Sequence, residues 1–387
     1  MPVVLLIVAI DMMGFGIIIP MLPFYAESHG ANPQEIALLM TTFSAAQLVT
    51  SPLWGGLSDR WGRKPVLLTT LACGIGAYLL LLHAQSLTDL VIARAAAGAM
   101  AGNLAVAQAY IADVTAPEDR TRGMGLFGAA LSVGFVAGPA IGGLLAGMDP
   151  ATADFAAPLL AAIGVSGVAV VLGAFFMREP QRRQAPQTGR NPVRRLLPAF
   201  AGGFCGGLVA LYFGVTLVFA GMESTFALWS ERMLHWGPLQ NGYLFAGASV
   251  LGVLVQGVLV GRVASRIGNP ATTGIGIVML AIGMAGIAAS ADLIALVPSV
   301  VALVFGLGFA NPALAALIAG TIRNNTAGAA FGLAQSAASF ARIVGPAVAG
   351  AGFHHVGPSW PYMAGAVFAV AMAAGALWLF NRYAPGD

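Results

Sequence analysis

Apolar positions along this chain gather into long continuous runs, without the alternation of strands or the narrow stripes of soluble helices. The runs lie near 3–25, 34–57, 65–83, 88–112, 122–147 and 155–177, and again near 200–229, 239–262, 271–289, 293–318, 327–352 and 359–381. A helix needs about 20 mostly apolar residues to cross the hydrocarbon core of a bilayer. The pattern therefore predicts an all-α membrane protein of twelve transmembrane helices, in two groups of six. A membrane β-barrel would show alternating segments instead. The first run is long and lacks a small-residue cleavage site, so it is read as a span and not as a removable signal.

Composition sharpens this picture. Of 387 residues, 58% are hydrophobic and only 9% charged, against roughly 25% charged in a soluble domain. Mean hydropathy is +0.84. So few charges could not cover a soluble surface, which excludes a cytosolic enzyme, a disordered chain and a nucleic-acid binder. The 51 glycines and 22 prolines suit helices packed closely in lipid. Cys73 and Cys205 lie within apolar runs and read as buried free thiols.

The polar stretch Arg178–Arg195 contains Pro, Gln and Arg without apolar periodicity and reads as a linker. It predicts an N-terminal six-helix bundle over 1–177, a cytoplasmic linker over 178–199 and a C-terminal six-helix bundle over 200–387. Of the 18 basic residues, 15 fall on the side that carries both termini and the linker. That asymmetry predicts a multi-pass protein of the inner (plasma) membrane with both termini in the cytoplasm. The five histidines fall at the opposite ends of spans. His354 and His355 are adjacent and cannot share a helix face, so they read as interfacial caps and no metal site is expected.

The two groups repeat at an offset of 206–207 residues. Gly55, Arg60 and Gly62 in the loop after span 2 meet Gly261, Arg266 and Gly268 after span 8, while Asp59 meets Ser265. Gly138-Pro139 in span 5 meets Gly345-Pro346 in span 11. Two parallel homologous bundles are the arrangement of secondary transporters with a midplane site.

Charges inside the spans are costly, by roughly 2.5–3.5 kcal/mol on insertion scales, and mark candidate sites. Four stand out: Asp11 in span 1, Arg94 in span 4, Glu223 in span 7 and Arg342 in span 11. A carboxyl shielded from water accepts a proton more readily than one in water, so Asp11 reads as a proton carrier. Its alternative readings are a helix-end carboxylate facing cytoplasmic water and a structural partner of Arg94. Glu223 is a second protonation site or a ligand for cationic substrate, or it bonds a neighbouring helix. Arg94 cannot deprotonate; it can hold a buried anion, respond to Asp11, or fix the bundle. Arg342 reads as a residue near the cytoplasmic end of span 11. In span 5, Gly134, Gly138 and Gly142 form a smooth stripe bent by Pro139, with Gly143 beside it.

These motifs resemble the major facilitator superfamily over essentially the whole chain. Gly55-Gly56-Leu57-Ser58-Asp59-Arg60-Trp61-Gly62-Arg63-Lys64 is similar to its loop 2–3 motif at nearly every position. Arg94 with Gly98 and Gly102 resembles its span-4 arginine motif. Gly134–Gly143 resembles the span-5 motif of drug–proton antiporters. Asp11–Gly16 with Pro20–Pro23 resembles the span-1 motif of twelve-span, tetracycline-efflux-like pumps. Tetracycline pumps carry further acids in spans 3 and 9, whereas Gly74–His83 and Ala271–Ala289 contain none. The resemblance thus carries the fold and the antiport class, and not the substrate.

The resemblance assigns Arg94 to proton coupling, and it implies that spans 1 and 7 line the cavity, which favours Asp11 and Glu223 facing inward as protonation sites. It implies a gating latch of Gly55, Asp59, Arg60, Gly62, Arg63 and Lys64. Asp59 would face the N-terminal end of a helix from the other half, and Asp113 would receive Arg63. It also implies packing of the span-5 stripe on span 8. No P-loop is present, so no ATP coupling is expected, nor any cofactor; the proton is the coupling ion.

The expected function is proton-coupled export of an amphipathic organic compound, cationic or neutral, by a transporter acting as a monomer in lipid without nucleic acid. Symport or uniport of a metabolite or sugar, and a non-transporting receptor or scaffold, are the alternatives.

Overall fold

The structure, a computed structural model, describes residues 1–116, 119–180, 203–320 and 327–383, apart from the side chains of 120–122 and 327–333. Most of the expected linker lies outside the described residues. The described residues form helices and no strands. In chain order these are α1 (Pro2–Ile18), α2 (Leu22–Ser28), α3 (Pro33–Trp61), α4 (Arg63–Leu82), α5 (Leu87–Met100), α6 (Asn103–Val114), α7 (Arg120–Ala146) and α8 (Ala156–Phe176). They continue with α9 (Phe204–Leu234), α10 (Pro238–Leu254), α11 (Val260–Ala289), α12 (Leu293–Gly320), α13 (Ala327–His355) and α14 (Trp360–Arg382).

The twelve expected spans fall on these helices within the described residues, the first three positions of the seventh (200–202) lying outside them. Among the described residues, ten stretches are long and apolar enough to cross a membrane, one of them running 52 residues from Pro238 to Ala289. At about 1.5 Å per residue that stretch is long enough for two passes. It holds a π-helical turn at Val255–Leu259 and a break at Gly268, where φ is 80°. Large apolar side chains such as Phe175, Ile294 and Val367 stand exposed, as lipid-facing residues should.

Local chemistry explains where helices start and break. Asn32 caps α3 by accepting from Glu35 N–H at 3.0 Å, while its own N–H donates to Glu35 Oε2 at 2.8 Å. Pro33 follows at the first helical position, where a missing N–H costs nothing. Span 1 is interrupted between α1 and α2, where Pro20 and Pro23 remove two backbone donors. Gly62 separates α3 from α4 with φ 111°, a conformation that glycine adopts without strain. Gly62 and Gly268, paired by the repeat offset, therefore make equivalent left-handed breaks.

Contacts divide the chain into two compact units. One comprises Met1–Ala185 with Ala227–Val250, and the other Pro186–Phe226 with Leu251–Asp387. The segment Ala227–Val250, the end of α9 and most of α10, packs with the first unit. The core of that unit is built from Ile7 and Val8 of α1, Leu67 and Leu71 of α4 and Val106 and Ile111 of α6.

Candidate functional site

Asp11 sits midway along α1, facing the break in span 4. That span stops at Met100 and restarts at Asn103. A broken helix leaves carbonyls without intrahelical partners. Here α3 supplies them: Trp54 Nε1 donates to Ala99 O at 2.6 Å and Gln47 Nε2 to Ala101 O at 3.2 Å. The motif glycines allow this approach, because Gly98 lies against the Phe43 backbone and Gly102 against the Trp54 side chain. The break turns Asn103 toward α1, where its Nδ2 donates to Asp11 Oδ2 at 2.6 Å. Around this pair the wall is apolar: Ile7, Val8, Leu67, Leu71, Leu104 and Ala107.

Arg94 of α5 is buried but does not pair with Asp11. Its terminal nitrogen meets Met40 Sδ at 3.8 Å, and its Cζ stands 4.5 Å from the centre of the Phe43 ring. Tyr78 of α4 lies within electrostatic reach of both Asp11 and Arg94. Its hydroxyl and Ser166 Oγ both approach Gly14, one turn along α1 from Asp11. The structural-partner reading of Asp11 thus passes from Arg94 to Asn103.

The glycine stripe packs differently from the resemblance. A Cβ at Gly138 would stand 2.6 Å from Met13 O and 2.7 Å from Gly16 Cα, and one at Gly134 would stand 2.7 Å from Ala9 O. Gly142 lies against the Ile17 backbone. All three face α1. Only Gly143 turns toward span 8, where a Cβ would meet Pro238 O at 2.6 Å. Gly242 lies against the Pro139 carbonyl, and Leu239 N–H donates to Gly147 O at 3.1 Å. One helix thus uses one face for span 1 and an edge for span 8.

In the loop after span 2, Arg63 gathers three partners. Its Nε donates to Asp113 Oδ2 at 2.8 Å, and one terminal nitrogen meets Asp59 Oδ1 at 2.6 Å and Ser58 Oγ at 2.7 Å. Glu179, which the sequence reading passed over, caps α4. Its carboxylate accepts from Arg63 N at 2.6 Å and Lys64 N at 2.9 Å, where a helix N-terminus favours an anion. Lys64 Nζ donates to Ala174 O at 2.8 Å, and Tyr110 donates to Arg178 O at 2.9 Å. The Glu179 bonds tie the start of the linker to the loop, and the Tyr110 bond ties it to α6. In the equivalent loop Ser265 stands where Asp59 does and donates to Arg262 O at 2.9 Å.

In the second unit, Glu223 of α9 is half-buried. Arg342 of α13 lies close enough for its charge to act on both Glu223 and Tyr212. This puts Arg342 beside the span-7 acid. Gly221 and Gly345 bring α9 and α13 together, since a Cβ at Gly345 would stand 2.6 Å from Leu217 O and 3.1 Å from Gly221 N. Glu231, near the end of α9, lies close enough to Glu27 on α2 for the two carboxyl groups to act on one another electrostatically.

Asn103, Tyr78 and Glu179 were missed by the sequence reading. An amide directly after Gly102 in an apolar run, and an acid opening a basic linker, were the available signals.

The family model of the Major Facilitator Superfamily matches residues 4–297 and 211–387. The chain belongs to this superfamily. It is therefore a membrane transporter and not an enzyme. The chain is 31% identical to the class G tetracycline resistance protein of Vibrio anguillarum, over 89% of this chain and 88% of that one. It is 25% identical to multidrug resistance protein 2 of Bacillus subtilis, over 95% and 92%. Among solved structures it is similar to a nucleoside transporter, with a TM-score of 0.84, 13% identity and coverage of 98% and 99%. That last likeness speaks for the superfamily fold alone.

Proposed function

We propose that this transporter is a proton-coupled antiporter that exports an amphipathic organic compound by alternating access. The observation that carries the reading is Asp11: a carboxyl in the first span, walled by aliphatic side chains, with the single amide of Asn103 bonded to it. The similarity to tetracycline and multidrug resistance proteins supports export and drug-like substrates.

The physical logic is charge control. A neutral Asp11 sits at low cost in its apolar wall, whereas the ionised form needs compensation. The Asn103 amide offers part of that compensation and substrate the rest. Proton binding and substrate binding then compete, which is the requirement for exchange. Glu223 near Arg342 is a second candidate for coupling, with Arg94 responding to Asp11. The Arg63–Asp59–Asp113 cluster, with Gly55, Arg60, Gly62 and Lys64, is assigned to gating, and Glu179 is added to it as the anchor of the linker. In this reading two six-helix bundles, 1–177 and 200–387, are joined by a cytoplasmic linker. Both termini are cytoplasmic, the chain lies in the inner membrane, and one copy suffices.

Everted membrane vesicles test this. With an inside-acid gradient imposed, adding compounds from a growth-inhibition panel should collapse the gradient for those exported. A gradient that collapses only with substrate on the opposite side indicates symport. A gradient untouched by any compound to which the chain confers resistance overturns the proposal.

A further inference from the structure

Span 8 is one residue longer than span 2. Span 2 opens at Asn32-Pro33, where Asn32 N–H donates to Glu35 Oε2 at 2.8 Å. Span 8 opens at Gly237-Pro238, where Gly237 N–H donates to Gln240 Oε1 at 3.0 Å. These starts are the same device at an offset of 205 residues. At the other end, Gly55 and Gly62 meet Gly261 and Gly268 at an offset of 206. One extra residue therefore lies between Gln240 and Gly261. In a regular α-helix it would turn everything beyond it by about 100° and advance it by about 1.5 Å. Span 8 absorbs it as the π-helical turn Val255–Leu259, where Val260 N–H donates to Val255 O, five residues back. The register is thereby restored, and Gly268 makes the same left-handed break as Gly62.

Span 2 is interrupted at the same level by other means. Pro52 lies inside α3, 206 residues before Val258, and has no N–H to offer Leu48 O. Both discontinuities pack on a glycine at matching positions. Gly102 lies against the Trp54 side chain. A Cβ at Gly308, 206 residues later, would stand 2.6 Å from Val255 Cγ1. Prolines and π-turns are both places where helices bend. The π-turn also follows directly on the point where span 8 changes company. Ala227–Val250 packs with the first unit, and the chain from Leu251 onward with the second. The first turns of the span are held by Pro139 and Gly143 of α7, and the π-turn by Gly308 of α12.

We propose that the extra residue makes Val255–Leu259 a hinge, at which the part of span 8 beyond the turn bends independently of the part before it, and that Pro52 is its counterpart in span 2. The turn keeps its backbone groups paired while loosening the helix, which lipid requires of any hinge within a span. Its place in transport rests on the alternating-access reading.

Two deletions test the extra residue. Gly257 is exposed, and a Cβ there would meet nothing within 4 Å, so its removal costs no packing. Deleting it should let the turn close into plain α-helix and shift the melting temperature in detergent by no more than about 4 °C. Ile282 is also exposed, in the regular part of α11. Deleting it displaces either Ile277 and Leu280 or Met284 and Ile287 from buried positions and should lower the melting temperature by more than about 10 °C. A Gly257 deletion that is as damaging as that of Ile282, or that fails to fold, overturns the extra-residue assignment. Amide hydrogen exchange on the wild type tests the hinge without any substrate. Amides of residues 256–260 should exchange about tenfold faster than those of 246–250. Deleting Gly257 should remove the difference, and adding Val258→Pro to the deletion should bring it back. Uniform protection along span 8 of the wild type overturns the hinge. In everted vesicles the deletion should slow, by about tenfold, the exchange of any compound that the wild type exchanges for protons, and Val258→Pro should restore part of the rate. An unchanged rate overturns the role in transport. Wild-type vesicles that exchange no compound would sink the antiport reading, and hydrogen exchange would still decide the hinge.

Discussion

Where α1 crosses α7, the contact positions on α7 are Gly134, Gly138 and Gly142. Where α9 crosses α13, the positions 207 residues later are Ala341, Gly345 and Ala349. Both crossings keep glycine and the following proline at the closest point. The flanking positions take a methyl group only in the second, where the nearest approach of Gly221 is to the Ala349 side chain itself. The charges differ more than the packing. Asp11 precedes Gly16 by five residues and is bonded to Asn103, whereas Glu223 follows Gly221 by two. Relative to the crossing they lie seven residues apart, about 10 Å along a helix. The position of Phe135 in the first crossing is occupied by Arg342 in the second. The repeat thus preserves what brings two helices together and leaves the electrostatics free to diverge, because backbone contact constrains only the residues at the contact.

The comparison is broken most directly at the acids. Asp11→Asn should abolish substrate-driven collapse of a pH gradient in everted vesicles while the protein stays folded, and Glu223→Gln should leave part of the signal. Equal and complete loss in both would erase the proposed asymmetry.

The crossings themselves come next. Gly142→Ala forces a methyl group into the Ile17 backbone and should lower stability by about 1–3 kcal/mol. Ala349→Gly should cost no more than about 1 kcal/mol. Thermal unfolding in detergent measures both, and matching shifts would mean that the crossings are equally tight.

The two equivalent loops offer a smaller contrast. Arg63→Gln removes bonds to two carboxylates, of which Asp59 is exposed and contributes little. A loss of about 1–2 kcal/mol is expected. Arg266→Gln in the repeat should stay within about 0.5 kcal/mol. The smallest effect belongs to Glu179→Gln. It weakens an exposed helix-terminal anion and should cost about 0.5 kcal/mol, read as faster proteolysis of the linker. An unchanged cleavage rate would count against Glu179 as its anchor.

The amino-acid sequence by itself determined the spans, their repeat with Gly62 and Gly268 at equivalent positions, and the four charges within apolar runs. Each is a local consequence of solvent and backbone: lipid admits apolar runs, requires helical hydrogen bonding and makes every charge conspicuous. Tertiary structure alone decided which groups meet. Asp11 lies 92 residues from the amide that bonds it, and nothing in the periodicity of either span records that distance. The break in span 4 became tolerable only because Trp54 and Gln47 of α3 satisfy its carbonyls. The span-5 stripe is smooth whichever helix it meets, so its preference for α1 was settled by packing. Arg94 was visible as a charge in an apolar run; that it finds the Phe43 ring rather than Asp11 depends on how α1, α3 and α5 lie against one another.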